Sequence, residues 1–191
     1  MITAADFRHI VKGLGQQAHD DIEWANNCRP PKHAVDFAQE AIFVICNSGM
    51  KNTVARGIYN RVRAALLNGH SSATVFGHKG KCAAIDDIWK HRRKWLADYT
   101  AAADKVEFCQ SMPWIGGITK YHLAKNFGAQ VAKPDVHLER LALHERTTAQ
   151  ALCERLAKET GHKVPAVDTV LWRACANGVI NSRTGEIRGR R

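Results

Sequence analysis

Apolar residues recur at a helical period along almost the whole chain, and this restricts the fold more than any other feature. Residues 34–46 set Ala34, Phe37, Ala38, Ala41, Ile42 and Ile45 along one side of a helix. The turn-forming stretch Asn47-Ser48-Gly49-Met50 follows. A second helix is predicted from about Asn52 to Leu67, with Val54, Ile58, Val62, Ala65 and Leu66 on one face and Asn68-Gly69 as its stop. Further helices are predicted over 82–99, 104–111, 119–127, 136–146, 147–160 and 167–177. Strand-like alternation of apolar and polar residues is absent. The expected fold is therefore all-α, with roughly eight to ten helices. At 191 residues it suits one domain built as a two-lobed bundle. One lobe is expected over about 35–142. The other is expected from the terminal helices, 1–34 and 143–182, with 183–191 as a basic tail.

Lys and Arg number 28 against 18 Asp and Glu, a formal charge of +10 that favours a polyanionic partner. Charge alone leaves DNA, RNA and an anionic membrane open. Two basic clusters stand out: His91-Arg92-Arg93-Lys94 between Trp89 and Trp95, and the tail with Arg183, Arg188, Arg190 and Arg191, which reads as a solvated face. The longest apolar run, Ala41 to Cys46, is far too short to span a bilayer. Met1 to Arg8 has no basic segment leading into an apolar one. A cytoplasmic protein with no membrane partner is expected. Cys28, Cys46, Cys82, Cys109, Cys153 and Cys175 form no C-x-x-C pair and no zinc-finger spacing with histidine. They read as reduced core thiols, and no metal is expected.

The most informative segment runs from Met112 to Ala142, MPWIGGITKYHLAKNFGAQVAKPDVHLERLA. It joins two helices through a tight glycine-containing turn and places an aspartate just past the second. Glycine at such a turn lets backbone N–H groups approach a phosphate, and the next helix N-terminus adds positive potential. A turn of this kind would hold a nucleic-acid backbone without reading its sequence.

In this order the features resemble the helix-hairpin-helix DNA glycosylase superfamily, the group that contains endonuclease III, the adenine glycosylase and the oxoguanine glycosylase. That family carries Leu-Pro-Gly-hydrophobic-Gly at the hairpin, a helix ending in Phe-Gly, then Pro-hydrophobic-Asp-hydrophobic-His before another helix. Here the hairpin positions fall on Met112-Pro113-Trp114-Ile115-Gly116, the helix end on Phe127-Gly128, and the aspartate on Asp135 in Lys133-Pro134-Asp135-Val136-His137. The resemblance covers about residues 35–142 and is specific between 112 and 142. It implies double-stranded DNA as partner, a monomer, no cofactor, and Asp135 as the catalytic carboxylate. Asp is also a favoured N-cap, and the two roles are compatible.

The same resemblance implies DNA contacts at Trp114, Ile115, Gly116, Gly117, Thr119, Lys120 and Lys81. It also implies a loop of Asn47, Ser48 and Met50 wedged into the base stack. Candidates for the pocket that receives a flipped base are Trp24, Tyr59, His137 and Asp168. Phe43 and Trp172 are further aromatic candidates, and core packing is the competing role for each aromatic. Asp168 also reads as an N-cap ahead of Val170, Leu171 and Trp172. Members that also cleave the strand place a lysine two residues past the second hairpin glycine. That position is Ile118, which has no amine to form a Schiff base, and Lys120 is rotated away by about 200°. The expected activity is hydrolysis of the bond between base and sugar without strand cleavage, on a damaged or a virus-modified base. A DNA-gripping module without catalysis, and a base-modifying transferase on the same scaffold, are the alternatives.

Overall fold

The computed structural model describes residues 1–189, so Arg190 and Arg191 of the expected tail lie outside the described residues. The protein is all-α. The helices are α1 (Ala4–Leu14), α2 (Gln16–Asn27), α3 (Ala34–Asn47), α4 (Asn52–Leu67), α5 (Lys79–Lys90), α6 (Arg92–Ala101), α7 (Lys105–Ser111), α8 (Thr119–Asn126), α9 (Val136–His144), α10 (Ala149–Thr160) and α11 (Val164–Ala176). A 3-10 turn lies at Ser72–Thr74, and a two-stranded antiparallel hairpin pairs β1 (Ile180–Asn181) with β2 (Glu186–Ile187). Among the described residues no helix is long and apolar enough to cross a membrane.

The chain divides into two compact units, Met1–Arg29 with Lys125–Arg191, and Pro30–Ala124. The expected divisions lie at about 34/35 and 142/143. The second shifts because α9 turns Leu138, Leu141 and Ala142 into the core of the first unit, together with Phe7, Ile10, Leu152, Leu156, Val167 and Leu171. Ile180 and Ile187 face each other across the strand pair and join that core, so 183–189 is a folded turn and strand rather than a tail, and Arg183 and Arg188 stand exposed on it as the solvated-face reading expects. Two isoleucines seven residues apart are too short a pattern to predict strands. In the second unit α3 is central, packed by α4, α5 and α6. Its Phe37, Ile42 and Ile45 are buried, as are Val62, Ile85 and Ile88 of its neighbours.

Eleven α-helices among the described residues exceed the eight to ten expected. One reason is a break inside the expected 82–99 helix. Arg92 donates through its guanidinium to the Trp89 carbonyl, a backbone acceptor near the end of α5, and the His91 ring bonds Asp87. These side chains end α5 at Lys90 and let α6 restart at Arg92.

Candidate functional site

In the first unit the site begins at the segment between α8 and α9. Gly128 ends the Phe127-Gly128 pair at φ +87°, and an added Cβ would lie 3.1 Å from the Cys28 carbonyl oxygen. Both the left-handed backbone and the close approach require glycine there. The chain then runs to Pro134, which cannot continue a helix, and Asp135 caps α9. Its Oδ1 accepts from the backbone N–H of His137 (2.9 Å) and Leu138 (3.1 Å). Both bonds fall on one oxygen, and the carboxylate is half-buried. His137 bonds the Ser182 hydroxyl at 3.0 Å through Nδ1, tying α9 to the end of β1. This bond fixes the ring through Nδ1.

Beside Asp135 lies a buried pair that joins α8 to α11. Lys125 donates to Asp168 and, at 3.2 Å, to the Thr169 hydroxyl. Asp168 is 1% exposed. It sits inside α11, which starts at Val164 with Lys163 as its N-cap, so it is not the cap the sequence suggested. Pro165 in the first turn explains the earlier start, since its missing N–H is harmless there. The other Asp168 oxygen accepts the Lys133 backbone N–H (3.2 Å), and the Lys133 carbonyl accepts from Asp135 N (2.8 Å). Burial pushes the Asp168 carboxyl up, with Lys125 pulling it back. Burial also pushes the Lys133 ammonium down, with Asp135 opposing. Trp24, 40% exposed, lies with its ring centroid 5.9 Å from the Lys125 ammonium and lines an open depression with Asp20, Glu23, Asn27 and Cys28. Trp24 and Asp168 therefore meet through Lys125. Neither Lys125 nor Lys133 was singled out in the sequence. The available signal was a lysine among Leu123, Ala124 and Phe127, and an aspartate among Val164 to Leu171, where a charge implies a buried partner.

In the second unit α7 and α8 are joined by the turn 112–118. Met112 and Ile115 are buried, and the Ile115 N–H closes on the Met112 carbonyl at 3.1 Å. Trp114, at the first glycine position of the resemblance, adopts φ +66°. The turn thus keeps the left-handed backbone that a glycine would supply, at a cost of about 1–2 kcal/mol for a non-glycine residue. The indole lies against Gly80, where an added Cβ would stand 2.5 Å from the ring, and meets the His78 ring edge-on at 5.0 Å. Gly116 and Gly117 are exposed. The Gly116 N–H is already taken by the Thr119 hydroxyl at 2.7 Å, so it does not point outward.

Two lysines expected on DNA are engaged elsewhere. Lys120 donates to Glu107 (2.5 Å) and Gln110 (2.6 Å) of α7, a clamp across the turn that raises its pKa through the Glu107 bond. Lys81 is 3% exposed and donates to the carbonyls of Ser48 (2.6 Å) and Cys46 (3.4 Å). Burial lowers its pKa. It closes the C-terminal end of α3, where a cation meets unsatisfied carbonyls. Lys81 therefore holds the Asn47–Met50 loop in place from beneath. Within that loop the Asn47 side-chain oxygen is buried without a hydrogen bond, and Ser48 and Met50 are half-buried. Of the pocket candidates, Tyr59 belongs to this unit, while Trp24, His137 and Asp168 belong to the other. Tyr59 meets Phe43 edge-on at 5.5 Å, and Phe43 also meets His122 of α8 at 6.4 Å. Among the described residues no group of three or more His, Cys, Asp or Glu is placed to hold a metal ion.

Comparison with protein-family models, with curated proteins and with solved structures finds no match to this chain.

Proposed function

We propose that the protein is a DNA glycosylase of the helix-hairpin-helix type, which releases a damaged or virus-modified base from duplex DNA and leaves an abasic site. The observation that carries this reading is the state of Asp135. One carboxylate oxygen is anchored by two backbone N–H groups, which fixes its direction, and the second takes no hydrogen bond among the described residues. A half-buried carboxylate held in this way can stand beside a sugar. As the bond from C1′ to the base breaks, its electron pair leaves with the base and positive charge spreads over the deoxyribose ring. The free oxygen stabilises that charge, as a carboxylate does in glycoside hydrolysis. Water then adds its oxygen to C1′ and gives up a proton, and the base takes one up.

The turn at 112–118 supports the DNA half of the reading. Its left-handed residue at 114 and exposed Gly117 suit an approach by a phosphate. Ile118 has no amine, and Lys120 is held by Glu107 and Gln110, which supports hydrolysis without a Schiff base. The test is base release from a panel of damaged and virus-modified duplexes, read as alkali-dependent strand breaks. Asp135→Asn is expected to lower it by about 10²–10³-fold, the usual scale for one preorganised electrostatic group. Asn is an equally good N-cap, so folding is spared. Release unchanged in the variant, or no release from any duplex by the parent, overturns the reading.

A further inference from the structure

With Lys81 and Lys120 engaged inside the second unit, a phosphate would have to meet other exposed cations, and three of these lie on α4. The helix carries Arg56, Arg61 and Arg63 and no acidic residue. Its inner side, Ala55, Val62, Ala65 and Leu66, is buried. Arg56, Asn60 and Arg63 recur at spacings of four and three, so they share one face, roughly 100–160° round the helix from the buried one, and all three are exposed. None of the three arginines pairs with a carboxylate among the described residues, whereas Lys94 is paired with Asp98 and Lys120 with Glu107. The Arg56 guanidinium rests over the Phe43 ring, 5.5 Å from its centroid, which orders the side chain without neutralising it. Phe43 is also the ring that meets His122, so α4 and the second hairpin helix share a contact inside one unit. The Asn47–Lys51 loop runs directly into the N-terminus of α4.

We propose that the outward side of α4, carried by Arg56, Asn60 and Arg63, contacts the phosphates of duplex DNA. Arg56 and Arg63 stand about 10 Å apart along the helix axis, enough to meet separate phosphates. Duplex DNA is favoured over an anionic membrane because a helix lying on a bilayer must turn a continuous apolar side to the lipid; here Ala55, Val62, Ala65 and Leu66 are buried and only Val54 and Leu67, near opposite ends, are exposed. The inference rests on the DNA half of the proposed function and not on its chemistry.

The experiment measures affinity for a short unmodified duplex between about 50 and 200 mM salt. Arg56→Gln with Arg63→Gln is expected to lower the slope of log affinity against log salt by about 1.8, or ~0.9 per phosphate contact. The charge-matched pair Lys90→Gln with Arg93→Gln, exposed positions outside α4, is expected to change the slope by less than half of that. Unaltered far-ultraviolet dichroism of both variants excludes unfolding as the cause. Equal slopes in the two variants would mean that only net charge matters, and the proposal falls. It falls too if the parent does not bind the duplex, or if Arg56 and Arg63 matter only for binding phosphatidylserine vesicles. Base release by a parent whose slope ignores the α4 change sinks this proposal and leaves the glycosylase standing. A slope change without base release does the reverse.

Discussion

Asp135 does two jobs that point mutations can separate. Replacing it with Ala removes the N-cap of α9 as well as the charge, and about 1 kcal/mol of stability is expected to go with it. Asn keeps the cap, so thermal melting is expected to distinguish Ala from Asn while base release falls in both. Asp168 and Lys125 form a second pair whose members cannot be removed singly without penalty. Lys125→Met alone leaves a buried carboxylate without its cation, and a loss of about 3–5 kcal/mol is expected by urea unfolding. Adding Asp168→Asn to that variant recovers most of the loss, because the amide oxygen still accepts the Lys133 N–H and no charge remains. No recovery in the double variant would show that the pair is not the source of the effect. At this scale the cap was legible in the sequence, since Asp followed by an apolar helical period is a local signal. The partner of Asp168 was not, because it lies 43 positions away and nothing in the chain states that Lys125 and Asp168 meet.

Elements here are closed by side chains from other elements. The end of α3 is completed by Lys81 of α5, whose ammonium meets the carbonyls of Cys46 and Ser48. Lys81→Met strips the donor from both, and a loss of about 1–3 kcal/mol is expected. Amide hydrogen exchange of Asn47 to Lys51 is expected to quicken in the same variant; unchanged exchange there would mean the loop is held by other contacts. At the start of α5, Gly80 lies under the Trp114 ring. Alanine in a helix ordinarily gains about 0.5–1 kcal/mol over glycine. Gly80→Ala is expected to forfeit that gain, because the new methyl must push the indole off its seat; a raised Tm would refute this. The hairpin itself was readable from Met112 to Gly116. Its closure by Thr119, Glu107 and Gln110 was not, because polar side chains exposed in one helix say nothing of the turn they will span.

Across the molecule, five of the six thiols are buried and Cys28 is half-buried. Burial pushes Cys46 up to about 11 and Cys109 and Cys175 up to about 12, from an ordinary 9.0. The native protein at pH 8 is expected to titrate at most one thiol with a disulfide reagent, and six after unfolding. Because the folded values exceed the unfolded one, the thiols contribute stability that is complete below pH 9 and is lost between pH 9 and about 12. Urea midpoints that do not fall over that window would contradict the burial of these groups. The amino-acid sequence by itself determined that the chain is helical, where its main turns lie and which residue caps α9. Periodicity, proline and capping act over a few residues, so they are complete in any short window. Tertiary structure alone decided the fate of the charges: which lysines are sealed against carbonyls or carboxylates, which arginines stay open on α4, and which isoleucines pair as strands. A side chain's electrostatic role depends on groups brought near it by packing and on the water that packing excludes, and neither is written in its local neighbours.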